Sequence, residues 1–128
     1  MTGNGRTSTD NAAKVHRLTV QTSVEEIARF LQENLGQRLT AFIAETKDVK
    51  QVGRWAKGEH TPRLEAEQRL RAAHQVFQLI QEVEGVHTAR AWMIGMNPEL
   101  DDDSPAEAIA AGRMKDAVIA ARLYVEGE

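Results

Sequence analysis

Five side chains suited to holding anions or reading hydrogen-bonding edges fall within eleven residues: Lys47, Lys50, Gln51, Arg54 and Lys57. Arg38 and Arg63 flank them. Lysine offers a point charge to a phosphate, whereas arginine and glutamine offer two hydrogen-bonding atoms in one plane. Little else in the chain suggests covalent chemistry. There is no cysteine, so neither a disulfide nor a thiolate metal site is available. His16, His60, His74 and His87 are too widely spaced for a local metal motif. No serine stands in a nucleophile elbow, and no glycine-rich phosphate loop follows an apolar run. Glu65, Glu82 and Glu84 are read as solvated helix carboxylates. The expectation is a binding protein without catalysis, cofactor or metal.

The elements that carry these residues are helical, and the fold class expected is all-α. Residues 1–20 are polar and rich in Thr, Asn and Gly, and are expected to form a flexible tail, although Val15, Leu18 and Val20 could pair locally or cover an edge. Ser23 with Glu26 three residues on is a capping box. Behind it Val24, Ile27, Ala28, Leu31 and Leu35 follow helical spacing until Gly36. A short helix over 40–46 should turn Leu39, Phe42, Ile43 and Ala44 inward. Lys47-Asp48 then makes a turn, and Asp48 caps a helix ending before Gly58. Val49, Val52, Trp55 and Ala56 mark its inner face, which leaves Lys50, Arg54 and Lys57 opposite, with Gln51 beside them.

Thr61 as cap and Pro62 at the first helical position should open a long helix reaching Glu84. Its apolar stripe is Leu64, Leu70, Ala73, Val76, Phe77, Ile80 and Val83, part of which is free to serve self-association. A helix over 87–94 delivers Trp92 to a corner made by Gly95 and Asn97-Pro98. Gly95 can take the left-handed turn, and a residue before proline avoids helical geometry. Ser104 caps the next helix with Pro105 at its first position, and Gly112 breaks it. Asp101, Asp102 and Asp103 suit the positive end of that helix. A last helix spans about 115–124.

Composition sets the class: 41% hydrophobic and 27% charged residues describe an ordinary globular chain rather than a disordered one. No apolar run approaches the ~20 residues of a membrane span, and no signal-peptide core appears, so a cytoplasmic, membrane-free protein is expected. The net charge of −3 conceals an asymmetry. Residues 1–63 hold ten Lys and Arg against seven Asp and Glu, and residues 64–128 hold six against twelve. The segment from Arg38 to Arg63, with six basic and three acidic residues, supplies the whole positive excess. Nucleic acid suits the front half and a basic protein the back half. A chance imbalance on solvated faces fits the same counts.

The run LTAFIAETKDVKQVGRWAKGEHTPR resembles a helix-turn-helix of the Xre-like repressor type: an apolar helix, a tight turn, and a helix ending in Trp, a basic residue and Gly. The resemblance implies that residues 21–63 bind DNA, with the second helix in the major groove. Arg54 would pair with guanine and Gln51 with adenine, while Arg38, Lys47, Lys50, Lys57 and Arg63 hold phosphates. A plain helical hairpin with a basic solvated face is the competing reading.

From about residue 70 the chain resembles the Xre/MbcA/ParS-like antitoxin toxin-binding domain. The resemblance rests on Trp92, then Asn97-Pro98-Glu99-Leu100, then Ser104-Pro105, then a small-residue helix over 106–112, then a short terminal helix over 118–128. It implies a type II antitoxin with a toxin-binding domain over 64–128. The partner would be a cognate RES-domain toxin that consumes NAD, and the complex, with the antitoxin as a homo-oligomer, would bind its own operator DNA. Toxin contact would then fall on Arg113, Lys115, Ile119, Arg122, Leu123, Tyr124, Val125, Glu126, Gly127 and Glu128, with residues 122–128 obstructing the toxin's active site. Trp92, Asn97, Pro98, Leu100, Ser104 and Pro105 would be a structural joint, with Trp92 and Leu100 largely buried. A stand-alone transcriptional regulator and a self-associating scaffold are the alternatives.

Overall fold

Ser23 opens the helix expected of it: its side chain accepts from the Glu26 N–H at 3.1 Å, and Glu26 reaches back to the Ser23 backbone. The computed structural model describes residues 8–127. They form eight α-helices and a 3-10 turn, with no strand among the described residues. In chain order these are α1 (Ser8–Gln21), α2 (Val24–Leu35), α3 (Gln37–Ala44), α4 (Lys50–Ala56), α5 (Leu64–Glu84), α6 (Val86–Ile94), the 3-10 turn Pro98–Leu100, α7 (Pro105–Ala110) and α8 (Met114–Glu126).

Helix α5 is the axis of the bundle. It packs against α1, α2, α3, α6, α7 and α8. Its middle from Ala72 to Ile80 is buried except for half-buried Gln75. Phe77 meets the Phe30 ring edge-on at 5.4 Å between centroids, and His74 meets the same ring at 5.2 Å. An apolar core drawing on every α-helix runs from Ala12 to Val125. The stripe read as a free association surface is therefore covered along its middle, and only Leu64 and Val83 near its ends stand exposed.

The N-terminal stretch departs from the expectation of a tail. Residues 1–7 lie outside the described residues, but α1 follows and docks on α5 and α8. Ala12, Val15 and Thr19, at helical spacing, are buried. The contacts that hold α1 are polar as well as apolar. Thr19 Oγ1 lies 2.9 Å from His74 Nδ1, and Arg71 Nη1 donates to the carbonyls of Thr19 and Thr22 at 2.8 and 2.9 Å. These carbonyls belong to the helix end, where no intrahelical donor reaches them. The docking partner is some fifty residues away, so local composition did not show it.

Helix α3 begins at Gln37 rather than Thr40, which changes which face is inside. Thr40, Ala41, Ile43 and Ala44 are buried, and Phe42 is 46% exposed instead of inward. The start of α5 also shifts. Thr61 is not its cap. Arg63 takes the cap position without a side-chain bond, and buried Pro62 lies in the extended entry. Gly95 is extended (φ −85°, ψ 153°), not left-handed. The reversal comes later: Asn97 accepts from the Glu99 N–H at 2.9 Å, and Asp101 and Asp102 take positive φ of 58° and 69°. Ser104 and Glu107 form the capping box of α7, with Pro105 at the helix start.

Candidate nucleic-acid and partner interfaces

Helix α4 is held on the bundle by its apolar side. Val52, Trp55 and Ala56 are buried, and Gly53 lies against the side chains of Gln37 and Gln32. Its end is tied to α2, since Arg29 Nη2 donates to the Ala56 carbonyl at 3.2 Å and to Glu25 at 3.0 Å. Clamped on that face, the helix turns its polar side outward. Lys50 and Lys57 are exposed, with Lys47 exposed in the preceding turn.

Arg54 and Gln51 have local partners. Arg54 Nη1 is 3.3 Å from Asp48 Oδ2, and Gln51 Oε1 is 3.0 Å from His60 Nδ1. Lys47, Gln51 and Arg63 come together around a cleft of about 790 Å³ between the α3–α4 pair and the start of α5. Trp55, His60 and Arg69 also line it, as do Glu45 and Glu65. Lys50 and Arg54 on α4, and Lys57 just after it, lie outside this cleft, and exposed Arg38, on α3, is not part of its lining. Asp48 as a partner of Arg54, and His60 as a partner of Gln51, were missed from the sequence. The Asp48–Arg54 spacing of six residues crosses a turn, so helical periodicity gave no signal.

The C-terminal face is apolar. Met96 is 78% exposed, Ile119 55% and Leu123 50%. Met96, Leu123, Tyr124 and half-buried Trp92 share a depression of about 370 Å³ with Asn97, Pro98 and Glu99. The rings of Trp92 and Tyr124 lie 5.8 Å apart. Trp92 is thus less enclosed than expected, whereas Leu100 is fully buried beneath it with Ala108 and Ala120. Asn97, Ser104 and Pro105 are buried, and Pro98 is exposed.

The other residues assigned to partner contact divide by position. Partly exposed Arg113 turns to the acidic run. It lies 3.6 Å from Asp101, 3.3 Å from Asp103 and 3.2 Å from Asp116, and so links the corner to the start of α8. The aspartates thus have a specific cation besides the helix end they precede. Lys115 and Ile119 border a groove of about 520 Å³ between α1, α5 and α8 that also includes His16, Val20 and Arg71. Exposed Arg122 lies 4.0 Å from Glu126. Val125 points into the core at 3% exposure, so it is not free to fill a partner's cleft. Arg122 to Glu126 are the last turns of α8 rather than a trailing segment, and Gly127 follows; Glu128 lies outside the described residues.

No protein-family model, curated protein or solved structure matches the chain.

Among the described residues, no group of three or more His, Asp or Glu is placed to hold a metal ion. No helix among them is long and apolar enough to cross a membrane. His74 is the one buried imidazole. Burial first, and Arg71 second, push its pKa down to about 4, so it is neutral near pH 7. It is enclosed by Thr19, Phe30 and Gln78, which makes it a core hydrogen-bonding group rather than a proton carrier for a ligand. The arrangement therefore offers two kinds of recognition: cations around α4 suited to phosphates, and an apolar patch at the Trp92–α8 corner suited to a protein surface.

Proposed function

We propose that this chain is a type II antitoxin whose Trp92–α8 corner binds a RES-domain toxin and whose α3–α4 region binds operator DNA. The observation that carries the reading is the pair Met96 and Leu123, which share one depression, with Ile119 one turn before Leu123 on α8. These large apolar side chains are half-exposed or more, and they lie on or beside the helix that the antitoxin resemblance assigns to the toxin. Scattered apolar exposure is normal, but a contiguous patch marks an interaction surface. Acidic Glu99 at its edge suits a basic partner around an anionic substrate's pocket. Because Val125 anchors the end of α8, the toxin is obstructed by the exposed face of α8 and not by an unravelled tail. With operator DNA and a toxin as partners, the protein acts in the cytoplasm as a homo-oligomer.

Coexpression with the product of the neighbouring reading frame tests this directly. A stable complex that protects cells from that product is expected, and Leu123→Asp should abolish both copurification and protection while leaving the fold intact. If the wild-type proteins never copurify, the antitoxin reading fails. The stand-alone regulator is the second reading, favoured by the cations around α4. It is the one that remains if the protein binds its own promoter and no toxin.

A further inference from the structure

The turn before α4 uses one carboxylate twice. Asp48 Oδ1 accepts from the Lys50 backbone N–H at 3.0 Å, and Asp48 Oδ2 receives Arg54 Nη1 at 3.3 Å. The first contact satisfies a donor that a helix start leaves open and ties the carboxylate to the backbone. The second therefore holds the guanidinium from a fixed point. Among the described residues Arg54 Nε and Nη2 have no hydrogen-bond partner, which leaves one edge of the fork free. Gln51, one turn earlier, is treated alike. With Nδ1 of His60 carrying the proton, that N–H donates to Gln51 Oε1 at 3.0 Å and sets the plane of the amide. Its NH₂ group and a lone pair of Oε1 stay available.

An exposed ion pair adds little to stability. What such a contact does change is the number of rotamers a long side chain samples before its target arrives, and hence the entropy lost on binding. A bidentate pair with a base requires the planar group to be aimed as well as present. We infer that Asp48 and His60 are positioning residues for base reading: Asp48 aims the free edge of Arg54 at guanine, and His60 aims the Gln51 amide at adenine, in the major groove of duplex DNA. The inference rests on the DNA-binding reading of α4. The exposed Lys47, Lys50 and Lys57 around the pair hold phosphates and contribute affinity without sequence information.

The test is selection from a pool of randomised duplex DNA by the full-length chain, compared between wild type, Asp48→Asn, Arg54→Lys and His60→Ala. Asparagine keeps an oxygen that can accept from the Lys50 N–H and removes the charge that holds Arg54. Wild type should show a guanine preference. Asp48→Asn and Arg54→Lys should each lower discrimination at that position by about tenfold, with the same salt dependence of affinity and an unchanged melting temperature. His60→Ala should relax a different, adenine position. Lost stability alone would not relax one base position selectively. If Asp48→Asn instead binds all sequences more tightly with its preference intact, Asp48 merely repels DNA and the inference is overturned. The same holds if wild type binds the pool without any preference, although the DNA-binding reading then survives. Absence of binding to any duplex at low salt would reject that reading, and the inference with it.

Discussion

His74 shows how a single buried side chain makes this fold sensitive to acid. In the native chain its pKa lies near 4, lowered chiefly by burial, while an unfolded histidine titrates near 6.5. Between these values the unfolded chain binds a proton that the native one refuses, so the contribution to stability is complete above pH 6.5 and declines as pH falls toward 4. The loss amounts to about 3 kcal/mol. Urea unfolding at pH 7 and pH 4.5 should show this slope, and His74→Asn should flatten it. Two backbone positions make the opposite kind of prediction. Glu45 adopts left-handed geometry (φ 62°) with a side chain that disfavours it, so Glu45→Gly should stabilise by about 0.5–1 kcal/mol. At Gly58 (φ 75°) the half-exposed Glu25 carboxylate that an added Cβ would approach can swing aside, so Gly58→Ala should destabilise by the ~1 kcal/mol of the left-handed backbone, read in urea unfolding. An unchanged midpoint in either variant would mean that the turn relaxes.

At the scale of elements, α1 and α7 illustrate two sources of helix stability. Helix α7 is only six residues long and cannot persist by propensity. It depends on its capping box, Pro105 and burial of Ala106, Ala108 and Ile109. Ser104→Ala should cost about 1 kcal/mol in chemical denaturation. Helix α1 has no such local signal and depends on tertiary contact. Val15→Ala should cost about 2 kcal/mol because Val15 is enclosed between α1 and the bundle, and a variant as stable as wild type would show that α1 is not docked. These two elements also explain what was legible. The cap at Ser104 and Pro105 behind it are adjacent in sequence and legible there, whereas the return bond from Glu107 and the pairing of Thr19 with His74, on another helix, came only with the structure.

At the scale of the molecule, the two candidate surfaces draw on different elements. The cations lie along α3, α4 and the entry to α5, whereas the apolar patch lies at the α6–α7 corner and on α8. Substitutions should divide accordingly. Under the proposed function, Lys47→Ala and Lys57→Ala should each reduce the salt slope of DNA binding by about one, as expected when one phosphate contact is lost, without affecting the proposed toxin neutralisation. Gel-shift titrations over a range of salt, beside a growth-rescue assay, would check both. Coupled loss of both activities from a lysine variant would mean that the surfaces are not independent. Arg113 belongs to neither face. Its three carboxylate partners are half-exposed or more, so its replacement by alanine should change stability by no more than about 1 kcal/mol in urea unfolding.

The sequence by itself determined the features that depend on neighbours three or four residues away. It located helices α2 and α4–α8, the box at Ser23, the cap at Ser104, the stops at Gly36 and Gly85, and the inner face of α4, because capping and helical periodicity are local. Among the candidate residues it identified the exposed lysines around α4 and the apolar surface of the last helix. Only the tertiary structure decided the rest. The length of α3 set Phe42 outward, and α5 recruited a polar N-terminal stretch into the core. Arg113 was drawn to three aspartates, and Val125 was turned inward while Leu123 two residues earlier stayed out. Asp48 and His60 became partners of Arg54 and Gln51 only when the turns brought them within 3.3 Å and 3.0 Å. Each of these outcomes depends on which surface meets which, a choice made by packing around α5 and not encoded in any short run of residues.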